Sequence, residues 1–236
     1  MGPTALALYR PRMGSTEAPD ALIFDFDGLI LDTEWTKFVA VSEQFAAHGV
    51  ELPVDEWRST VGRTDSRHWT DWLADAVGRP IDRGSVHPAG VARSNALLRD
   101  EVALPGVVEL VEAATDARIP LGVASSSPLD WVRPHLERLG LFASFDVIVT
   151  REDVVATKPA PDLYLAALAR LDVAPERTVA FEDSAHGCAA AVAAGLRCVA
   201  VPNRMTRSQD FGHADLVVSS LAEVRLCDLT MARNDR

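Results

Sequence analysis

From Ala21 onward the chain alternates short, nearly unbroken apolar runs with longer stretches in which apolar residues recur every three or four positions. The runs lie at 21–26 (ALIFDF), 119–124 (IPLGVA), 145–150 (FDVIVT), 178–181 (TVAF) and 197–201 (RCVAV), with a sixth at 216–218 (LVV). An apolar run without polar alternation suits a strand buried on both faces, and therefore a parallel sheet covered by helices. Helices are expected between the runs, over 107–117, 128–139, 161–171 and 185–194. Strand and helix alternate, so the fold class is α/β, a doubly wound, Rossmann-like parallel sheet.

One interval breaks the alternation. Between the first run and the second no buried strand can be read, and helical patterns fall at 34–48, 65–77 and 90–100, punctuated by Gly49, Gly62, Gly78 and Pro80. A structureless loop of that length does not belong in a compact domain. The segment reads as an inserted all-helical cap domain, 34–103, entered near Thr33 and left near Leu104-Pro105-Gly106. The α/β core is then 20–33 and 104–236. Residues 1–19 read as a disordered tail, with Met13 as an alternative start. The apolar stretch Thr4 to Leu8 is too short for a signal-peptide core and follows no basic region. No segment approaches the roughly 20 apolar residues needed to span a bilayer, so no membrane partner and a cytoplasmic location are expected.

Composition narrows the partners. The formal net charge is −11, and the basic residues are scattered instead of forming a stripe, which excludes nucleic acid. A small anionic ester remains open to the chain, because a few convergent cations and N–H groups suffice to hold one. Cys188, Cys198 and Cys227 form no CxxC pair and are odd in number, against a disulfide framework or zinc site. They read as small buried hydrophobes in a reducing compartment.

Chemistry gathers where runs end. Ligands of open α/β sheets sit outside the carboxyl ends of the strands. The first run ends in Asp25-Phe26-Asp27-Gly28, which places both carboxylates on one side of the extended chain. Either they share a cation, or Asp25 caps a helix and Asp27-Gly28 makes a turn. The fourth run ends in Glu182-Asp183. Together these form a hard, oxygen-rich set suited to Mg²⁺, although Asp183 and Ser184 also suit the start of the following helix. Ser125-Ser126-Ser127-Pro128 offers hydroxyls and N–H groups as an oxyanion cradle, or a simple cap. Lys158, held between Thr157 and Pro159 in a loop stiffened by Pro159 and Pro161, is a candidate charge neutraliser at the same sheet edge.

In their order, DxDGxxxDTE (25–34), the strand-end Ser125, KPxPDxY (158–164) and EDSxxG (182–187) resemble the motifs of the haloacid dehalogenase superfamily. The resemblance covers about residues 20–225. It is nearest to the subgroup with a helical cap after the first motif, which includes β-phosphoglucomutase and many sugar-phosphate phosphatases. It implies a Mg²⁺-dependent phosphatase acting on a small phosphorylated metabolite through an aspartyl-phosphate, with a phosphomutase as the alternative. By the same resemblance Asp25 is the nucleophile and Asp27 the general acid/base, while Lys158, Ser125 and Ser126 bind the phosphoryl group. The metal ligands are Asp25, Asp183 and the main-chain oxygen of Asp27, with Glu182 a direct or water-mediated ligand. Asp27 separates the chain from the dehalogenases, which lack a carboxylate there. Lys37 stands where β-phosphoglucomutase carries a histidine, which favours phosphatase over mutase. In the cap, Lys37, Arg63 and Arg67 are candidate substrate contacts, the two arginines being equally suited to a solvated helix start. Trp35 is the cap tryptophan expected nearest the substrate, and His186 reads as a helix-surface or supporting residue.

Overall fold

The computed structural model describes residues 16–62 and 67–232. Six strands make one parallel sheet: β1 Ala21–Phe24, β2 Leu121–Ala124, β3 Val147–Val149, β4 Thr178–Glu182, β5 Arg197–Ala200 and β6 Leu216–Val217. Their spatial order is β3-β2-β1-β4-β5-β6. The chain fills one side of β1 with β2 and β3, then crosses to the other with β4, so β1 lies at the switch point where such sheets bind ligands. Register aligns the strand ends. Phe24 is level with Val123 and with Phe181, which sets Asp25 beside Glu182 at the carboxyl edge.

The apolar runs divide their side chains between two cores. Leu22, Phe24 and Phe181 join a cluster with α5 (Val107–Asp116) and α6 (Leu129–Arg138), where Phe24 and Phe181 stack at 4.8 Å between centroids. Ile23, Ala180 and Cys198 face α7 (Asp162–Leu171) and α8 (Ala185–Ala193) in the second cluster. Cys188 and Cys198 are buried there as free thiols, and Cys227 is exposed.

Four helices lie between β1 and β2: α1 Thr33–Ala47, α2 Val54–Thr60, α3 Trp69–Val77 and α4 Arg83–Leu98. α2 was not expected. It spans seven residues and buries only Trp57 fully, too little periodicity to read from sequence. α4 begins seven residues before the expected 90. Gly84 and Pro88 resemble a loop, but the Asp82 side chain accepts from Gly84 N–H and packing against α1 carries the helix through. α3 begins at Trp69, later than the expected 65, and of the four residues between, 65 and 66 lie outside the described residues.

The tail differs as well. Residues 16–19 were expected in it, yet Thr16–Glu17 pairs antiparallel with Met231–Ala232, and Arg177 donates to the Ala18 carbonyl. The remainder of the expected tail lies outside the described residues. Among the described residues no helix is long and apolar enough to cross a membrane.

The sheet domain also reaches into the helical insertion. Met205, in the loop after β5, is buried among Val41, Phe45, Leu52, Trp57, Val61 and Leu73. In the same loop Gln209 donates to the Val61 carbonyl and accepts from Ala185 N–H. Met205→Ala is expected to cost about 2–5 kcal/mol of stability, read as a lower urea midpoint. An unchanged midpoint would mean that Met205 does not join the two parts.

Candidate active site

β1 ends in a tight turn that folds Asp27 back toward the strand edge. Gly28 holds φ +82°, its N–H donates to the Leu31 carbonyl, and a side chain there would run into the carboxylate of Asp183. Only glycine meets both demands. Asp32 then starts α1 by accepting from Trp35 N–H, and its other oxygen accepts from Arg204.

Asp25 is buried at the strand end. Its carboxylate lies 2.5 Å from Lys158 Nζ, which is also 2.6 Å from Glu182 Oε1 and 5.2 Å from the centre of the Tyr164 ring. The Tyr164 hydroxyl donates to the same Glu182 oxygen at 2.6 Å. Gly187 packs so closely on the Glu182 carboxylate that no side chain fits there. Asp183 accepts from Asn203 Nδ2 at 2.7 Å, and that amide also donates to the Gly28 carbonyl.

One oxygen from each of Asp25, Glu182 and Asp183 lies within 4.8 Å of the others. Burial pushes Asp25 up to about 7. Lys158 opposes the shift, while Glu182 and Asp27 add repulsion. Burial, with repulsion from Asp25 and Glu182, also lifts Asp183 well above the carboxylate range. Glu182 Oε2 is buried without a hydrogen-bond partner. Three crowded carboxylates, more buried negative charge than Lys158 offsets and an orphaned oxygen fit a hard divalent cation.

Asp27 has a different setting. One oxygen accepts from Ser127 Oγ at 2.5 Å and the other from Trp131 Nε1 at 3.0 Å, with Lys37 Nζ 3.9 Å away. Burial alone would raise this carboxyl, but the Lys37 charge and the two donors outweigh it and bring it below the usual range. Lys37 is fixed in turn by Glu34 at 2.9 Å. Burial would lower its pKa, yet the charges of Glu34 and Asp27 more than compensate and raise it. The two motif carboxylates, two residues apart, are thus held in opposite electrostatic states.

These groups surround a pocket of about 160 Å³ lined by Asp25, Asp27, Lys37, Ser125, Ser126, Lys158 and Asp183, with Val61 and Gly62 on the helical side. Glu182 lies beneath it, fully buried. Ser125 Oγ accepts from Ser127 N–H, and Ser126 Oγ is buried without a partner. Hydroxyls and N–H groups at a helix start, opposite a buried lysine, are suited to an oxyanion.

The structure therefore brings Asp25, Asp27, Ser125, Ser126, Lys158, Glu182, Asp183 and Lys37 together. Arg67 is not among them. It is exposed on the outside of α3, paired with Asp75 at 2.8 Å and donating to the Asp71 carbonyl. Arg63 lies outside the described residues. Trp35 turns away too, packing on Phe38 and under the Arg204 guanidinium at 4.2 Å. Two helical positions from Lys37, it sits about 200° round the helix. Sequence reasoning missed Ser127 and Trp131 on Asp27, Asn203 on Asp183 and Tyr164 on Glu182. Ser127 and Tyr164 stood inside quoted motifs, and only their contacts were unread. Trp131 and Asn203 carried no local signal.

Comparison with known proteins agrees with this geometry. The family model for haloacid dehalogenase-like hydrolases matches residues 19–195. CbbY of Cereibacter sphaeroides is 38% identical over 219 residues, covering 87% of this chain and 94% of its own. Hexitol phosphatase B of Escherichia coli (strain K12) is 34% identical over 214 residues, covering 89% and 96%. The crystal structure of a CbbY variant from Rhodobacter sphaeroides in complex with xylulose-(1,5)bisphosphate superposes with a TM-score of 0.71 at 34% identity, covering 89% of this chain and 99% of that one. With motifs, fold and near full-length relatives in agreement, the chain belongs to the haloacid dehalogenase-like hydrolases.

Proposed function

We propose that this chain is a Mg²⁺-dependent phosphatase that hydrolyses a small phosphate monoester, of the sugar-phosphate kind, through an aspartyl-phosphate on Asp25. The observation that carries the reading is the opposed pair. Asp25 is clamped by Lys158 at the strand end, and Asp27 faces the same pocket with its own donors. The relatives point the same way, one named as a hexitol phosphatase and one crystallised with a sugar bisphosphate.

In this reading a carboxylate oxygen of Asp25 bonds to phosphorus as the ester P–O bond breaks, and Asp27, ionised at rest, relays to the departing alkoxide the proton that a monoanionic phosphate ester brings with it. Asp27 then takes a proton from water as the water oxygen bonds to phosphorus. The P–O bond to Asp25 breaks, and orthophosphate leaves. Lys158, Ser125 and Ser126 hold the phosphoryl oxygens. Asp25, Asp183 and the main-chain oxygen of Asp27 would hold Mg²⁺, with Glu182 binding it directly or through water. When bound, the ion supplies positive charge that keeps these carboxylates ionised and offsets their repulsion of an anionic phosphoryl group. The insertion, 34–103, acts as a cap over the core formed by 20–33 and 104–236. It sets Lys37 above Asp27, where the resembling mutases carry a histidine, and this favours transfer to water over an intramolecular phosphomutase.

The test is orthophosphate release from a panel of pentose, hexose and hexitol phosphates. Chelation with EDTA is expected to abolish release, Mg²⁺ to restore it, and Ca²⁺, with its larger and looser shell, to fail. Release undiminished after exhaustive chelation would overturn the metal assignment. Retention of phosphate in the product, with activation by a bisphosphate, would establish the mutase instead.

A further inference from the structure

The cation site of the phosphatase reading draws its oxygens from separate segments. Asp27 offers its main-chain oxygen from the turn after β1, and Asp183 stands one residue past the end of β4. Sheet register aligns the strands but does not reach these two positions. A third segment ties them together. After β5, Val201 N–H donates to the Glu182 carbonyl at 2.7 Å, and Asn203 follows two residues on. The Asn203 side-chain nitrogen donates to Asp183 Oδ2 at 2.7 Å and to the Gly28 carbonyl at 3.1 Å. Among the described residues it is the one hydrogen-bond donor to the Asp183 carboxylate.

The amide has a single orientation open to it. Its oxygen accepts from Met205 N–H at 2.8 Å and from Thr206 N–H at 3.2 Å. The Asn203 backbone N–H donates to Thr206 Oγ1 at 3.0 Å and closes the loop. Turning the amide over would set its NH₂ against two N–H groups and its oxygen against a carboxylate and a carbonyl. Gly28 makes room for this contact, since a Cβ there would run into both Asp183 Oδ2 and Asn203 Nδ2. One side chain therefore joins the β1 turn, the end of β4 and the loop after β5.

The consequence for a cation follows from size. Mg²⁺ demands a near-ideal octahedral shell at about 2.0–2.1 Å, whereas Ca²⁺ accepts looser shells at about 2.3–2.6 Å. A site whose segments can part holds Ca²⁺ with little loss and Mg²⁺ poorly. A polar group that fixes a ligating side chain typically contributes about 10–100-fold in metal affinity. Resting on the phosphatase reading, we propose that Asn203 is a positioning residue that keeps the Asp183 carboxylate and the β1 turn at the spacing Mg²⁺ requires, and so raises the affinity of the site for Mg²⁺ relative to the larger Ca²⁺.

The test is a titration without substrate, following the melting temperature against MgCl₂ and, separately, CaCl₂. Asn203→Ser keeps an oxygen that can accept from the loop N–H groups but is too short to reach Asp183 and Gly28 together. It is expected to weaken Mg²⁺ binding by at least about tenfold and Ca²⁺ binding by no more than about threefold. Asn203→Thr, which fills more of the amide's volume, carries the same expectation should the serine variant not fold. Thr206→Val loosens the same loop without touching Asp183, and should leave both cations within about threefold of the parent. Mg²⁺ bound by the Asn203 variant as tightly as by the parent overturns the inference. An equal loss of the two cations also overturns it, as does an equal loss of Mg²⁺ in Thr206→Val, because Asn203 would then act only through the folding of its loop. These results leave the cation site itself standing. A parent that binds neither cation overturns the metal assignment of the phosphatase reading, and the role of Asn203 with it.

Discussion

Replacing Asp25 with asparagine is expected to lower turnover by at least roughly 10³-fold while leaving the fold intact. The amide keeps the size and shape of the carboxylate but is a poor nucleophile, so the covalent step is lost. Stability should not fall with it. Asp25 shares a small buried volume with Glu182 and Asp183, and burial already pushes its carboxyl up to about 7. Removing one negative charge there relieves repulsion. Lys158 meanwhile keeps its second partner, Glu182, at 2.6 Å. The measurement is a time course of orthophosphate release beside a thermal melt. Turnover within tenfold of the parent at an unchanged melting temperature would sink the covalent mechanism.

The sheet and most of the catalytic set were legible in the sequence because they obey local rules. A strand buried on both faces must be apolar throughout, so each of β1 to β6 announced itself, with its ends displaced by no more than two residues. Strand-end placement then put Asp25, Ser125 and Glu182-Asp183 at one edge before any contact was known. The partners of these groups were not legible, because they are set by register and by crossings between distant elements. Trp131 reaches Asp27 across 104 positions, and Asn203 reaches Gly28 across 175. Nothing in the residues around Asn203 marks it as the donor that orients Asp183.

The helical insertion was read less well for a related reason. Two of its helices, α2 and α3, are short, and the longer α4 is held by its neighbour. α4 contains Gly84, Pro88 and Gly90, each a poor helix former, yet it packs along α1, and Arg93 grips Glu43 with bonds of 2.6 and 2.8 Å. The cap's polar residues were judged by type, and type does not give direction. Lys37 faces the site and Arg67 does not, although both are cations near a helix start. The insertion's own apolar cluster includes Met205, which belongs to the other half of the chain, so its core could not be composed from 34–103 alone.

Lys158→Met should be the most destabilising of the active-site substitutions. The methionine fills most of the lysine's volume, so packing is nearly conserved and the change isolates the charge. The ammonium is buried against Asp25 and Glu182, with the Tyr164 ring beside it. Removing one partner of a buried ion pair leaves the other uncompensated, at about 3–5 kcal/mol. At about 2–4 °C per kcal/mol for a chain of this size, the melting temperature should drop by roughly 6–20 °C. Mg²⁺ should then raise the melting temperature of the variant more than that of the parent, because any cation held by these carboxylates takes over the lost charge. The double variant Asp25→Asn, Lys158→Met tests the cause. Removing the stranded carboxylate should return part of the lost stability, so the two effects will not add. A double variant that melts no higher than Lys158→Met alone would place the loss in packing and not in charge. A Lys158→Met protein that melts like the parent would mean that this lysine does not hold the carboxylates together.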